Sequence, residues 1–153
     1  MREHEIQTKR IRHLPLDPAT YIESGTPLNE VVEQMRKGHS SCVLICQGNR
    51  CVGIFTERDY LTKVLSIGAD RKAPVDKFMS SPVKTLSPDD TVGQAISIMN
   101  QFDFRNVPLV DAEGKCTGLL QIRNIIQFLA ELYPEEILNA QPGREPFEQT
   151  DGA

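Results

Sequence analysis

The chain has 153 residues, of which 39% are apolar, and it carries a formal net charge of −4 at pH 7. This length accommodates one domain or two small repeats around a hydrophobic core. The acidic balance argues against general nucleic-acid binding through a basic surface, and no apolar run approaches the length of a membrane span. The first residues lack the apolar region of a signal peptide, so the sequence predicts a cytoplasmic protein without membrane association.

The cysteines form no CxxC pair, which disfavours a zinc or dithiol site. Each of them lies in an apolar segment of β-type composition, where a free cysteine behaves as a small hydrophobic residue. We therefore expect buried structural thiols with little metal or redox chemistry. The four residues are Cys42, Cys46, Cys51 and Cys116.

The first half of the chain alternates helix and strand signals. Residues 1–17 are polar and of mixed charge, so a solvated N-terminal arm is predicted. Thr26–Pro27 is a helix start signal, a cap followed by proline at the first helical position, and Gly38 should end that helix. Two short apolar runs around the turn Gln47–Arg50 predict a β-hairpin, and a second helix is predicted over Glu57–Ile67.

The same order restarts after a connector, residues 69–82, which is rich in charge and proline. Thr91 and Gln94 form a capping-box pattern, in which each side chain satisfies the exposed backbone donor of the other residue. An apolar helical face follows them. The runs Asn106–Val110 and Cys116–Leu120 then predict a second hairpin, and a last amphipathic helix completes the set.

Equivalent residues of the two halves keep a nearly constant separation, 64 before the first hairpin strand and 65 after it. Such pairs include Met35 with Met99, Gly53 with Gly118, and Asp59 with Asn124. We infer an α+β fold made of two β-α-β-β-α repeats, residues 18–68 and 83–133, which pack together around a pseudo-twofold axis. Residues 134–153 are rich in Pro, Gly and Glu and are predicted to form a loose tail.

Over residues 18–133 the sequence resembles a tandem cystathionine-beta-synthase (CBS) domain pair, also called a Bateman module. The resemblance rests on the duplicated order, on the strand Val107–Asp111, and on the strand-to-helix element Gly53–Asp59 with its pattern Gly-h-h-Thr-x-x-Asp. It implies two clefts between the repeats that hold adenosine-containing ligands: AMP, ADP, ATP, S-adenosylmethionine, or a dinucleotide such as NAD. It also implies a homodimeric regulatory sensor that needs no cofactor and signals through a conformational change or an unidentified protein partner.

The element Gly53–Asp59 has side chains suited to a ribose. The carboxylate of Asp59 can accept hydrogen bonds from two vicinal hydroxyls, and Thr56 can donate or accept beside it. The first turn of the following helix offers backbone N–H groups and a positive dipole end to a phosphate. The same Thr-x-x-Asp pattern is an ordinary helix cap, so both interpretations stay open.

The resemblance also implies that residues of the second half reach this main cleft. Arg105 is the expected phosphate ligand because its planar guanidinium matches phosphate oxygens, and an ordinary surface arginine is the alternative. The complete set expected around the main cleft is Ile54, Thr56, Asp59, Val83, Lys84, Thr85, Arg105, Asn106 and Pro108.

The second cleft has weaker ligands. Gln121 and Asn124 stand where the first repeat has a hydroxyl and a carboxylate, and the opposing loop contributes Ser40 and Ser41. An asparagine lacks the charge that makes the contact with a ribose strong. We expect this cleft to bind more weakly, to take another ligand, or to be empty.

Enzyme signatures are missing from the sequence, which contains no nucleophile elbow, Walker loop or zinc-ligand spacing. We therefore predict that the chain is not an enzyme. The main alternative to a ligand sensor is a structural dimerisation or interaction module whose clefts hold no ligand.

Overall fold

The structure, a computed structural model, describes residues 2–81 and 84–133. Its helices are α1 (Arg2–Thr8), α2 (Leu28–Gly38), α3 (Glu57–Asp59), α4 (Val92–Phe102) and α5 (Ile122–Leu132), with short 3₁₀ turns at Ile11–His13 and Val75–Lys77. Its strands are β1 (Tyr21–Glu23), β2 (Cys42–Gln47), β3 (Arg50–Thr56), β4 (Asn106–Val110) and β5 (Cys116–Gln121). Val83, predicted in the main cleft, and the predicted tail, residues 134–153, lie outside the described residues.

Each repeat builds a small sheet on the hairpin that the sequence predicts. β3 pairs antiparallel with β2, and β1 joins β2 in parallel, with Ile22 opposite Ile45. In the second repeat β4 pairs antiparallel with β5, and a single parallel bridge between Leu86 and Leu109 takes the place of β1. Both residues of this bridge are the counterparts of the Ile22–Ile45 pair, so the two repeats share one α+β topology.

The start of α2 differs from the prediction, whereas its end at Gly38 is as predicted. Thr26 does not cap the helix, because its hydroxyl donates to the Glu23 carbonyl at 2.6 Å and Pro27 takes the N-cap position. At the other end the left-handed residue is His39, with φ 52°, and its counterpart Asp103 has φ 58° after α4. Both repeats therefore turn their chain into the hairpin in the same way.

The helix predicted over Glu57–Ile67 is α-helical only in its first turn and continues as a π-helix over Tyr60–Leu65. The Ala69 N–H shows the wider winding, since it donates to the Val64 carbonyl at 3.0 Å. The start of α4 matches its prediction. Gln94 N–H donates to Thr91 Oγ1 at 3.1 Å, and Thr91 N–H donates to Gln94 Oε1 at 2.8 Å.

The N-terminal segment is not a solvated arm. Ile11 is fully buried and packs with Leu14 in the core of the second repeat. The Ile11 N–H donates to the Asp90 carbonyl at 2.9 Å, and Arg12 forms an ion pair with Asp89. The prediction from the polar composition was wrong. Two apolar side chains one turn apart are enough to anchor the segment, although most of its other side chains are exposed to solvent.

The connector, residues 69–82, completes the core of the first repeat in the same manner. Val75 is fully buried in the core of that repeat, and its N–H donates to the Thr26 carbonyl at 2.9 Å. Asp76 accepts hydrogen bonds from the Ser24 hydroxyl and, at 2.6 Å, from the Gly25 N–H. Burial acts to raise the pKa of Asp76, but these hydrogen bonds outweigh it and hold the pKa below its ordinary value.

The two segments are exchanged between the repeats. Ile11 and Val75 are equivalent positions under the sequence duplication, and so are their carbonyl partners Asp90 and Thr26. The segment that precedes the first repeat packs on the second, and the segment that precedes the second repeat packs on the first. Each hydrophobic core is therefore completed from outside the boundaries that the sequence suggested.

The repeats meet through their strands. Arg50 forms an antiparallel bridge with Lys115, its own counterpart in the second repeat, and such a contact between equivalent residues lies at a pseudo-twofold axis. The expected burial of the thiols holds for Cys42 and Cys46, whereas the other two cysteines are half-buried. The apolar cluster at this junction contains Cys42, Leu44, Cys46 and Leu119, with Ala19, Cys51, Ile54 and Cys116 packed against it.

Candidate functional site

A closed capping box joins β3 to α3. Thr56 Oγ1 accepts from the Asp59 N–H at 3.1 Å, and Asp59 Oδ2 accepts from the Thr56 N–H at 3.0 Å. Asp59 Oδ1 lies 3.1 Å from Lys63 Nζ, and the residue is 8% exposed. The cap interpretation of this pattern is confirmed, and a ligand would have to use the remaining lone pairs of the carboxylate.

The first turn of α3 has fewer free donors than the sequence suggests. The Glu57 N–H donates to the Ser41 carbonyl at 3.0 Å, and the Asp59 N–H is occupied by the cap. The second repeat repeats this contact, since the Ile122 N–H donates to the Arg105 carbonyl at 2.9 Å. Each of these loops is thus held to the helix of its own repeat through its main chain. The exposed Arg105 side chain lines a cavity of about 400 Å³ together with residues of α4 and α5.

A cavity of about 540 Å³ opens between the repeats at the second cleft. Its walls combine the segment before β1, the loop after α2, and the junction of β5 with α5. The volume falls within the range of small-molecule sites, roughly 300–1,000 Å³, so side chains do not fill this cleft. The lining residues are Asp17, Pro18, Ala19, Thr20, Gly38, His39, Ser40, Ser41, Cys42, Leu119, Gln121 and Arg123.

Hydroxyl groups and one ion pair define the polar part of this cavity. Thr20 Oγ1 and Ser40 Oγ lie 3.0 Å apart, and Ser41 lines the wall beside them, as the sequence predicts for both serines. Arg123 forms an ion pair with Asp17 across the two repeats. Both of these side chains are more than half exposed, so the pair contributes little stability, and its effect is to neutralise the guanidinium.

Asn124 has a capping role and is not among the residues that line the cavity. Its Oδ1 accepts from the Gln121 N–H at 2.8 Å, and the residue is only 1% exposed. Gln121 Nε2 donates to Asn106 Oδ1 at 3.2 Å, which occupies a side chain predicted for the main cleft. Asparagine therefore performs at the second repeat the same capping that aspartate performs at the first.

Each wall position of the second cleft has an equivalent residue in the other repeat, at the main cleft. Thr20 and Gly38 of the first repeat correspond to Lys84 and Phe102 of the second. Lys84 Nζ lies 4.6 Å from the centroid of the Phe102 ring, a cation–π contact. That ring stacks on Phe104 with centroids 5.5 Å apart and an interplanar angle of 19°. An ammonium group and aromatic rings thus stand where the second cleft has small and hydroxyl-bearing residues.

The duplication points to one further arginine that the sequence-based prediction omitted. Arg58 is the counterpart of Arg123 in the first repeat, and like Arg105 it is exposed. The position that matches Asp17 is Ser81, so the acidic partner of the second cleft has no equivalent there. The constant offset between the repeats could have identified Arg58 from the sequence. The ion pair of its counterpart, Arg123, is visible only in the structure.

The remaining residues predicted for the main cleft lie at separate places. Ile54 packs in the apolar cluster between the repeats. Pro108 is buried in the middle of β4. Thr85 lines another cavity of about 510 Å³ beside Arg12. The structure therefore does not gather the whole predicted set around Asp59.

Two further classes of site are missing from residues 2–81 and 84–133. In that part of the chain no group of three or more histidine, cysteine or acidic side chains is arranged to hold a metal ion. The helices of the same residues are all too short or too polar to cross a membrane.

Comparison with known proteins identifies the family. A family model described as CBS domain matches residues 7–66 and again residues 75–131. The chain belongs to the CBS domain family. An uncharacterized 17.7 kDa protein of Acidianus ambivalens is 33% identical over 113 residues, which cover 73% of this chain and 68% of that protein. The matches span 68%, 65% and 39% of the length of three curated relatives.

Solved structures share the fold of this tandem CBS pair. A CBS domain protein from Pyrobaculum aerophilum, complexed with AMP, has a TM-score of 0.70 at 24% identity and covers 80% of this chain and 98% of its own. The CBS domain pair of protein MJ0100, in complex with 5′-methylthioadenosine and S-adenosyl-L-methionine, has a TM-score of 0.71 at 20% identity. That comparison covers 79% of this chain and 99% of the other.

Proposed function

We propose that this CBS pair is a cytoplasmic regulatory module that binds an adenosine-containing ligand between its repeats and has no catalytic activity. The observation that carries the proposal is the open space between the repeats: a cavity of about 540 Å³ at the second cleft has walls from both repeats, and the duplication places equivalent positions around the main cleft. A ligand held by two bodies favours the arrangement in which both fit it, so occupancy changes the packing of the repeats. The output is then a changed surface for another protein.

AMP, ADP or ATP fits the main cleft best, with S-adenosylmethionine and NAD as further possibilities. Exposed Arg58 and Arg105 supply guanidinium groups for phosphate, and Lys84 adds an ammonium. The ring of Phe102, which is 38% exposed and stacks on Phe104, offers an aromatic face to adenine. Asp59 would accept from the ribose hydroxyls with its remaining lone pairs. The adenosine-containing ligands of the two solved relatives support this ligand class.

Calorimetric titration of the full chain with AMP, ADP, ATP, S-adenosylmethionine and NAD tests the proposal. We expect at least one of them to bind with a dissociation constant well below about 1 mM, roughly −4 kcal/mol of binding free energy. If none binds at that level, the chain is not a sensor of these ligands.

Asp59→Asn is the matched variant for this titration, because asparagine already performs the same cap at position 124. The fold should be retained, while loss of the carboxylate charge should weaken binding about tenfold. Thr20→Ala, in the second cleft, is the control and should leave the affinity unchanged. Equal losses in both variants would show that the ligand does not prefer the main cleft.

The alternative function, a structural dimerisation or interaction module without ligand, makes the opposite prediction for stability. A ligand that binds the folded state raises the melting temperature, so a vestigial cleft leaves it unchanged at millimolar nucleotide. The open cavity at the second cleft favours the sensor, since a vestigial cleft would be filled by side chains.

A homodimer forms part of the proposal. Leu61 and Ile126 are equivalent positions of the two repeats, and both are more than half exposed. Exposed apolar side chains on matching helical faces suit a second copy of the chain. Sedimentation at micromolar concentration should give twice the monomer mass of 17.2 kDa, and a monomer mass would exclude this part of the proposal.

A further inference from the structure

Three of the four thiols cluster where the repeats join. Cys46 and Cys51 face each other across the antiparallel strands β2 and β3, which places their side chains on one face of the sheet. Cys116 approaches from the second repeat, with its sulfur 3.8 Å from the sulfur of Cys46, and all three thiols belong to the apolar cluster between the repeats. Cys42 lies further along β2, about 13 Å from Cys46.

A surface cavity leads to this cluster, in which Cys116 is half-buried and Cys46 is 5% exposed. A cavity of about 330 Å³ is lined by both Cys46 and Cys116, together with Tyr21, Glu23 and Asn49. The two sulfurs thus combine proximity with an open approach. Their separation has to shorten from 3.8 Å to about 2 Å for a covalent bond, a movement within reach of side-chain rotation and a small shift of the strands.

We infer that Cys46 and Cys116 form a disulfide between the two repeats when the chain meets an oxidised low-molecular-weight thiol such as glutathione disulfide. The Cys46 thiolate attacks one glutathione sulfur, breaks the S–S bond and releases the first glutathione thiolate. The Cys116 sulfur then loses its proton, attacks the Cys46 sulfur and releases the second. Two cysteine thiols are oxidised, one glutathione disulfide is reduced, and the two protons end on the released glutathiones.

The surroundings of the two sulfurs determine which thiol attacks first and how long the disulfide persists. Burial raises the pKa of Cys46, and hydrogen bonding from the Cys116 thiol opposes this rise. Burial and the neighbouring sulfurs raise the pKa of Cys116 far more strongly. Cys46 therefore ionises first. Thiols with raised pKa values are poor leaving groups, so the disulfide should form slowly and resist reduction.

The test incubates the reduced full chain with a glutathione redox buffer, blocks the remaining thiols by alkylation, and maps the cysteines by mass spectrometry under non-reducing conditions. We expect one intramolecular link between the Cys46 and Cys116 peptides, with Cys42 and Cys51 alkylated. The link closes a loop between residues 70 positions apart, so oxidation should raise the melting temperature by roughly 5–10 °C.

Three variants distinguish the disulfide between Cys46 and Cys116 from disulfides that other cysteines could form. Cys51→Ala should keep both the link and the stabilisation, whereas Cys46→Ala and Cys116→Ala should lose both. The peptide map of the wild-type chain tests the inference even if one of the variants fails to fold. A link through Cys51, a link between two chains, a persistent mixed disulfide with glutathione, or four alkylated cysteines after incubation would each overturn the inference.

Discussion

Replacing Ile11 by alanine should destabilise the protein by about 2–4 kcal/mol, the ordinary cost of truncating a large buried apolar side chain. Ile11 is fully buried in the core of the second repeat, although it lies near the beginning of the chain. For a domain of this size the melting temperature should fall by roughly 5–15 °C. Thermal or urea unfolding, followed by circular dichroism, measures the loss.

Ile67→Ala is the matched control, because that isoleucine is 71% exposed and should change stability by no more than about 0.5 kcal/mol. Val75→Ala removes the equivalent side chain from the first repeat and should also destabilise, by less, since valine is smaller. A loss for Ile11→Ala as small as that for Ile67→Ala would mean that the N-terminal segment is solvated after all.

Replacing Arg105 by alanine should weaken AMP binding by about ten- to a hundredfold and leave adenosine binding nearly unchanged. The reason is the loss of a charge-assisted hydrogen bond to phosphate, which contributes about 1.5–3 kcal/mol. Arg58→Ala should behave in the same way, because Arg58 belongs to the other wall of the same proposed cleft. Calorimetric titration with both ligands gives the ratio directly.

Arg123→Ala is the control for this pair, since Arg123 lines the second cleft and is already paired with Asp17. It should leave the AMP affinity within about twofold of the wild type. If Arg105→Ala weakens adenosine as much as AMP, its guanidinium does not bind phosphate and the proposed orientation of the ligand is wrong.

Local signals were enough to predict the order of hairpins and helices within the two repeats. The hairpins followed from apolar runs around short turns, and Thr91 with Gln94 gave the start of α4, because these features involve residues close in sequence. The residue-to-residue match of the two halves predicted the pseudo-twofold arrangement, since a duplicated unit that is too small alone buries its surface against its copy.

Long-range contacts were beyond the same reasoning. The hydrogen bond from Ile11 to Asp90 joins the segment before the first repeat to the beginning of the second repeat, and no local pattern marks such a pair. Two contacts between residues close in sequence, Lys63 with Asp59 and Phe102 with Phe104, were also not predicted, because they depend on the side-chain conformations. The constant offset between the repeats could have predicted some of these features, because it identifies Ile11 with Val75 and Arg58 with Arg123 as equivalent residues.

The exchange of segments between the repeats has a consequence for synthesis of the chain. The ribosome makes the N-terminal segment first, yet its binding surface around Val92 and Phe128 is made last. Ile11 and Leu14 therefore stay uncovered while nearly the whole chain is translated, whereas the first repeat closes as soon as the residues around Val75 emerge. A growing chain therefore passes through a stage in which the first repeat is closed while Ile11 and Leu14 are exposed, and transiently exposed apolar side chains of this kind favour aggregation or chaperone binding.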